Sequence, residues 1–253
     1  MSPRALDGRT VVITGGGHHL GRAVAETCAA QGARVVLAAR DGARLEQVAA
    51  GIRAQGGLAR AVPTDVTDPE QVAALVCAAE DWAGPVDAAI AFAGGGAPRV
   101  PADALEPAAF DAVIRVNLHG TFHLARAVLP SMRERNRGTI VCCAGGGAFW
   151  PVLGTPLLAY ACAKAAICRL TDQLTAELWE TGIRVNAVEP GPVGTGDVRA
   201  DQVAELTAWL ASEQSAPLRG RLVATTDTWW RDPVQVAAVD ATVHAYRLRR
   251  AAR

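Results

Sequence analysis

Short apolar runs rich in β-branched residues alternate along the chain with longer amphipathic runs. The apolar runs are typical of buried parallel strands, and the amphipathic runs are typical of helices that cover them. This alternation predicts an α/β protein, with a doubly wound parallel sheet of about seven strands and helices on both faces. The predicted strands are residues 9–14, 34–39, 58–63, 86–92, 138–143, 183–188 and 221–225.

Helix signals fill the intervals between these strands. Asp68 is a predicted N-cap with Pro69 at the first helical position, and Pro107 limits where a long helix through Asn117 to about residue 135 can begin. The other predicted helices are residues 22–31, 41–55, a segment carrying Tyr160 to about residue 180, 202–212 and 233–246. Because no linker-like or low-complexity stretch interrupts this order, we predict that residues 1–253 form a single domain.

A glycine cluster, Gly15 to Gly17, stands between the first strand and the first helix, and a second strand follows on schedule. Such a turn presents backbone N–H groups and a helix N-terminus to a pyrophosphate, so it predicts a Rossmann-type dinucleotide-binding unit. The alternative is a glycine-rich turn that binds no ligand.

The end of the second strand bears on which dinucleotide is bound. An NAD site usually has an acid there for the ribose 2′-hydroxyl, whereas an arginine suits the 2′-phosphate of NADP. Ala39 ends this strand and Arg40 follows, so the sequence favours NADP over NAD. The adjacent Asp41 weakens that preference, and the alternative is that Arg40 is a solvated surface residue.

Composition excludes several classes of function. The formal net charge is zero with a pI near 7.0, so neither a nucleic-acid partner nor an anionic membrane surface is indicated. No apolar run is long enough to span a membrane, and the N-terminus lacks the apolar stretch of a signal peptide, so we expect a cytoplasmic protein. The six cysteines form no Cys-x-x-Cys pair and have no histidine at zinc-like spacing. They are interpreted as small core residues, and no metal site is predicted.

Lys164 is the only lysine in the chain, and it follows one of the two tyrosines, Tyr160, by four residues. Residues spaced four apart share a helix face, so the ammonium and the phenol project together. A nearby cation favours the phenolate and lowers the pKa of a tyrosine toward the range useful for general acid/base catalysis. The alternative is an incidental surface pair. Cys162 lies between them on a different face and is given no role.

Taken together, these segments resemble the classical short-chain dehydrogenase/reductase family, in the family's order and over nearly the whole chain. The segments that carry the resemblance are Thr14-Gly15-x-x-x-His19-Leu20-Gly21, Asp65-Val66, Ala93-Gly94, Asn117, Tyr160-x-x-x-Lys164, and Pro190-Gly191 with Thr195.

The resemblance implies roles for these residues. Tyr160 would exchange a proton with the substrate oxygen, Lys164 would lower the tyrosine pKa and hold the nicotinamide ribose, and Asn117 would support a water chain. It also implies a homodimer or homotetramer. The implied cofactor contacts are Gly15, Gly17, His18, His19, Leu20, Gly21, Arg40, Asp65, Val66, Ala93, Gly94, Tyr160, Lys164, Pro190, Gly191, Val193 and Thr195.

Three positions depart from the family pattern. His19 replaces a loop glycine, where positive φ is expected and where the ring could contact a phosphate. The catalytic serine is missing, because only glycine or alanine stands after the cysteines of the fifth strand, although Thr155 is a possible substitute. Its loss would remove an oxyanion contact. Ala91 and Phe92 replace two asparagines.

Aromatic and apolar residues before Tyr160 indicate an apolar pocket wall, although packing in an interface or in the core is the alternative. These residues are Phe149, Trp150, Pro151 and Leu153. Trp229 and Trp230 are interpreted as pocket rim or subunit interface. The short segment between Gly191 and the helix predicted at residue 202 indicates an open pocket or a lid supplied from elsewhere.

These features predict an NADP(H)-dependent oxidoreductase that interconverts a carbonyl and an alcohol on a small, largely apolar substrate. A redox-neutral dehydratase, cyclase or isomerase is the first alternative, since a phenol beside an ammonium can also serve acid/base chemistry without hydride transfer. A non-catalytic nucleotide-binding protein is the second.

Overall fold

A computed structural model describes residues 4–96, 98–149, 151–191 and 200–241. Seven parallel strands form one sheet in the order β3-β2-β1-β4-β5-β6-β7, which confirms the predicted fold class. The strands are β1 (Thr10–Thr14), β2 (Arg34–Ala39), β3 (Leu58–Pro63), β4 (Ala88–Ala91), β5 (Gly138–Cys143), β6 (Ile183–Glu189) and β7 (Leu222–Ala224).

Helices connect successive strands, as parallel pairing requires. They are α1 (His19–Ala30), α2 (Gly42–Ala54), α3 (Pro69–Ala83), α4 (Pro107–Ile114), α5 (Gly120–Glu134), α6 (Leu158–Glu177), α7 (Ala200–Ala211) and α8 (Pro233–Ala241). The predicted start of α3 is confirmed, because the Asp68 carboxylate accepts hydrogen bonds from the backbone N–H groups of Glu70 and Gln71.

Two apolar layers enclose the sheet, and alternate residues of each strand supply them. In β1, Ile13 contributes to the layer that contains α1, α2 and α7, whereas Val12 contributes to the layer that contains α3, α5 and α6. The strand order reverses at β1, which lies between β2 and β4. In a doubly wound sheet, the crevice for a ligand lies at the carboxyl ends of the strands beside this reversal.

The long helix predicted through Asn117 is interrupted. A π-helical turn, Arg115–His119, separates α4 from α5. Its extra residue changes which side chains face inward, and Asn117 is fully buried there. Such turns are frequent at functional sites.

Several packing predictions were wrong. Trp229 and Trp230 are neither pocket rim nor exposed interface, because both are buried against Trp209 of α7. Cys77 and Cys162 are exposed rather than part of the core. Residues 242–246 of the predicted last helix and the short segment after Gly191 lie outside the described residues. Over the residues that are described, no helix combines the length and the apolar character needed to cross a membrane.

Candidate active site

A cavity of about 750 Å³ opens at the carboxyl ends of the strands, beside the β1 and β4 ends. Most of the predicted site residues line it: Gly15, His18, His19, Leu20, Gly21, Arg40, Asp65, Val66, Ala93, Gly94, Asn117, Tyr160, Lys164, Pro190 and Gly191. Gly17 does not line it, because a side chain there would face Leu45 and Arg44 instead. Val193 and Thr195 lie outside the described residues.

The glycine turn is held closely against the end of β4. Gly15 has φ +75°, and a Cβ there would lie 2.7 Å from the backbone of Phe92 and Ala93. A Cβ at Gly21 would lie 2.2 Å from the Gly15 carbonyl oxygen. Only glycine fits such approaches, and the N-terminus of α1 is thereby directed at the cavity.

His19 adopts φ 39° at the first position of α1. The prediction that this position requires positive φ is therefore confirmed, and the side chain at the family's glycine position is accommodated in the left-handed region. The His19 ring is exposed and stacks on His18, with 6.1 Å between ring centroids.

Basic side chains gather at the β2 end of the cavity. Arg40 is exposed there and lines the cavity, and Nη1 of Arg44 lies 2.5 Å from Nδ1 of His18. Asp41 is the N-cap of α2, and its carboxylate accepts the Arg44 backbone N–H at 3.0 Å. Asp41 is therefore engaged by the helix that it begins. Arg44 carried no sequence motif, and only the fold brings it to the glycine turn.

Asn117 is fixed by its amide nitrogen. Nδ2 donates to the carbonyl oxygens of Gly95, at 3.1 Å, and Val113, at 3.0 Å. Its Oδ1 atom is buried and accepts no hydrogen bond from the described residues. A Cβ at Gly94 would lie 2.6 Å from this oxygen, so the bare glycine leaves Oδ1 facing the space beside it. A buried acceptor in this state indicates a missing donor, such as water or a ligand.

Lys164 is only 4% exposed, although it carries a charge. Nζ donates to the Cys143 carbonyl oxygen at 2.9 Å and stands 5.4 Å from the centroid of the Tyr160 ring. Its other two N–H bonds have no acceptor within the described part of the chain. The Gly94 Cβ position is 3.6 Å from Nζ, so Lys164 and Asn117 border the same point in the cavity.

Burial, and to a smaller extent the nearby Cys143 thiol, raises the pKa of Tyr160 to about 12. The expectation that Lys164 lowers this pKa is therefore wrong for the protein in this arrangement. The main reason is burial of the phenol, and the Lys164 ammonium donates to the Cys143 carbonyl instead of the phenol oxygen. The phenol is consequently a protonated group at neutral pH.

The backbone of Gly145 packs directly against the phenol. A Cβ at this position would lie 2.6 Å from Oη of Tyr160 and 3.4 Å from Cγ of Lys164. Among the described residues that line the cavity there is no serine, although Thr155 lines it. From the sequence alone, either a glycine or an alanine could occupy the position of the family's serine, depending on the alignment. In the structure, Gly145 is the residue beside the Tyr160 hydroxyl.

The apolar wall differs from the predicted one. Val152 and Leu157 line the cavity, whereas Phe149 and Leu153 do not, and Leu153 is 89% exposed. Trp150 lies outside the described residues. Sequence reasoning also missed Cys143, whose neighbour in β5 is fully buried while its own side chain borders the cavity. Successive side chains of a strand point to opposite faces, so the sequence could have indicated that Cys142 and Cys143 face different ways.

The cavity fits a nicotinamide dinucleotide. The glycine turn supplies a cradle that a Cβ would fill, and Asn117 and Lys164 supply an unused acceptor and unused donors farther along the same cavity. A phenol and an ammonium one helical turn apart, beside such a cradle, define a dinucleotide-dependent oxidoreductase site.

A family model described as short chain dehydrogenase matches residues 9–205, and the chain belongs to this family. It is therefore an oxidoreductase of a family that uses NAD or NADP. Its relatives include 2-(S)-hydroxypropyl-CoM dehydrogenase 3 of Xanthobacter autotrophicus, 37% identical over 76% of this chain and 74% of the relative. Another is 2,3-dihydro-2,3-dihydroxybenzoate dehydrogenase of Bacillus subtilis, 34% identical over 77% of this chain and 74% of the relative.

Solved structures show the same architecture. A short chain dehydrogenase from Mycobacterium smegmatis superposes with a TM-score of 0.83 at 30% identity, covering 89% of this chain and 94% of the other.

Proposed function

We propose that this protein is an NADP(H)-dependent oxidoreductase that interconverts a carbonyl and an alcohol on a small, largely apolar substrate. The observation that carries the proposal is that Tyr160, Lys164 and Asn117 border the same cavity as the glycine turn. Acid/base groups and a dinucleotide cradle are thereby brought to one place.

Each part of the dinucleotide has residues suited to hold it. The turn from Gly15 to Gly21 would bind the pyrophosphate, Asp65 and Val66 the adenine, and Lys164 the nicotinamide ribose. When bound, the cofactor supplies or accepts the hydride.

The preference for NADP is supported by the basic groups at the β2 end. Arg40 directly follows Ala39, which ends β2 where NAD-binding proteins of this fold carry the ribose acid. His18 lines the same cavity and contacts Arg44. Asp41 also lines the cavity, and one oxygen of its carboxylate is engaged as the N-cap of α2. The guanidinium of Arg40 would donate to a 2′-phosphate bound there.

Tyr160 acts as a general acid in carbonyl reduction. Since burial raises its pKa to about 12, the phenol carries its proton at neutral pH and can donate it to the substrate oxygen. Lys164 and Asn117 face the same space beside Gly94, where a water could link the ammonium to Oδ1 and return a proton. The reverse reaction would require the phenol to release its proton first, which the raised pKa disfavours.

We place the lost serine of the family at Gly145. Without a hydroxyl there, the reacting oxygen takes its hydrogen bond from Tyr160, and Thr155 is another residue with a hydroxyl that lines the cavity. This predicts slower reduction of ordinary ketones, because one oxyanion contact is absent.

The substrate class follows from the wall of the cavity and from the relatives. Val152 and Leu157 offer apolar surface, while the names of both relatives specify substrates that bear hydroxyl groups. A hydroxyl or carbonyl on a small apolar body fits both observations.

The test is an assay of purified protein against a broad panel of carbonyls and alcohols, following the absorbance of the reduced nicotinamide with NADPH and with NADH. Tyr160→Phe should abolish turnover while leaving the NADPH-induced rise in melting temperature intact. No turnover with either nicotinamide would contradict the proposal. Product formation without a change in nicotinamide absorbance would favour the redox-neutral alternative. Turnover that Lys164→Ala leaves unchanged would mean that the activity does not depend on this cavity, which would favour the interpretation of the cavity as a non-catalytic nucleotide site.

We also propose that residues 1–253 form a single cytoplasmic domain that assembles as a homodimer or homotetramer. Sedimentation equilibrium of the purified protein measures the assembly directly, and a monomer at micromolar concentration would contradict it.

A further inference from the structure

A second cavity, of about 400 Å³, lies at the amino ends of the strands, at the opposite end of the sheet from the candidate active site. It forms where the chain enters β1, β4, β5 and β6. Four arginines and two acids line it: Arg9, Arg135, Arg137, Arg184, Asp87 and Glu213. We refer to it as the arginine cavity.

The acids do not balance the arginines in this cavity. Glu213 has one contact of hydrogen-bond length, to Nη2 of Arg9 at 2.8 Å, while Arg137 and Arg184 stand 3.8 Å and 3.9 Å from its carboxylate. Asp87 is shared by Arg9 and Arg135, each at 3.5 Å. The charged residues described around the cavity therefore carry a formal excess of two positive charges, from four arginines and two carboxylates.

Arg184 lines this cavity with a guanidinium whose Nη1 atom stands 3.9 Å from the Glu213 carboxylate. Its side chain is only 6% exposed, and Nη2 donates to the Thr139 hydroxyl at 2.8 Å and to the Ser212 carbonyl at 3.0 Å. Nη1 is buried and has no hydrogen-bond partner among the described residues. Leaving such a donor unpaired is costly, because a guanidinium retains its charge when buried.

Arg135 shows the same pattern on the other side of the cavity. Its Nη2 donates to the Val86 carbonyl at 2.7 Å, whereas Nε is buried without a partner in the described part of the chain. Backbone carbonyls thus accept hydrogen bonds from one nitrogen of each guanidinium. The Nε atom of Arg135 and the Nη1 atom of Arg184 have no hydrogen-bond partner among the described residues.

We propose that the arginine cavity binds a small oxyanion, either inorganic phosphate or the phosphoryl group of a small metabolite. Guanidinium forks match the geometry of phosphate oxygens, and Nη1 of Arg184 would gain the acceptor that it lacks. Arg137 is half-exposed at the mouth and adds a second cation. The volume exceeds that of phosphate alone and falls in the usual range for small-molecule sites of about 300–1,000 Å³.

The experiment is calorimetric titration of the full-length protein with inorganic phosphate at constant ionic strength. Phosphate could also bind at the proposed cofactor site, so the titration is run with that site saturated by NADP, and Arg60→Ala, an exposed arginine that lines neither cavity, serves as the matched control. Losing one charged contact should weaken phosphate binding by about tenfold or more in Arg137→Ala, with no change in Arg60→Ala. An unchanged affinity in Arg137→Ala, or an equal loss in Arg60→Ala, would overturn the proposal.

A second variant keeps the test independent of folding defects. Glu213→Gln removes the carboxylate that competes for Arg9, Arg137 and Arg184 while keeping its shape, so phosphate binding should tighten by about tenfold. If Glu213 only stabilises the structure, the affinity will stay the same or fall, and the proposal fails. Repeating the titration with glycerol phosphate distinguishes the two ligands, because tighter binding of the ester identifies a phosphorylated metabolite.

Discussion

Replacing Gly145 by alanine tests whether the active site depends on bare backbone beside the phenol. A Cβ at Gly145 would lie 2.6 Å from Oη of Tyr160, whereas ordinary contact begins near 3.4 Å, so the hydroxyl would have to move by about 0.8 Å. The φ of Gly145 is not in the left-handed region, so alanine brings no backbone strain with it. The perturbation is therefore confined to the position of the phenol.

The expected consequence is a large loss of rate with little loss of stability. A misplacement near 1 Å at a reacting group can cost about 10²-fold, so kcat should fall by roughly 10- to 100-fold. Overpacking costs about 1–3 kcal/mol when nothing can move, but the phenol can swing into the open cavity. Alanine also lowers the entropy of the unfolded chain by about 0.4–1 kcal/mol, which offsets part of that cost. The melting temperature should change by less than about 4 °C.

The assay compares kcat, the affinity for NADPH and the melting temperature of Gly145→Ala with those of Gly51→Ala. A Cβ at Gly51 in α2 meets nothing within 4 Å, and Gly51 does not line the cavity, so this variant is the control and should retain wild-type kcat. Wild-type turnover in Gly145→Ala, or an equal loss in both variants, would refute the reasoning.

Spectrophotometric titration should find one phenol, absent from Tyr160→Phe, that stays protonated to about pH 12, and a Tyr160 phenolate below pH 10 would contradict this. Because the folded state holds that proton more tightly, the linked stability is complete below pH 10 and lost as pH rises through about 12. Arg40→Ala should weaken NADPH binding by about 10- to 100-fold and leave NADH binding unchanged, measured by thermal shift; equal losses would exclude a 2′-phosphate contact. Asn117→Ala leaves two carbonyls without a donor and should cost about 1–3 kcal/mol in chemical unfolding; an unchanged midpoint would be the contrary result. His19→Gly removes the strain of a non-glycine residue at positive φ and should leave the melting temperature unchanged or higher. Any loss of NADPH affinity in this variant measures the contact of the His19 ring with a phosphate.

The fold was predictable because buried parallel strands leave a clear pattern. Strands 34–39 and 138–143 have the bounds expected from their apolar runs, since both faces of a central strand must be apolar. The candidate site followed from the same pattern, because the carboxyl ends of parallel strands meet at one edge. Tyr160 and Lys164 were paired by their helical spacing, and Asn117 was added to them by the resemblance to the family.

Other features depend on contacts that sequence does not encode locally. Trp229 and Trp230 are equally apolar at a rim or in a core, and only the placement of Trp209 on α7 decides between them. The π-helical turn adds a single residue to an amphipathic helical pattern. In the sequence, that pattern cannot be told from the pattern of one continuous helix. The pKa of Tyr160 is raised chiefly by burial, which helical spacing alone cannot specify.

The arginine cavity was missed for a related reason. Its charged residues are distant along the chain and have no motif in common. They meet because the four arginines and Asp87 lie near the starts of strands, and Glu213 follows the end of α7. A formal net charge of zero also hides a local excess of cations.

Lys164 has a practical consequence for chemical labelling. Since it is the sole lysine and is almost fully buried, reagents that acylate amines have one side-chain target besides the amino terminus, and that target lies inside the cleft. The acylation rate of this residue should report occupancy of the cleft without any chromogenic substrate. Conversely, amine-directed crosslinkers find almost no anchor on the outside of this protein, so they would undercount its subunits whatever the true assembly.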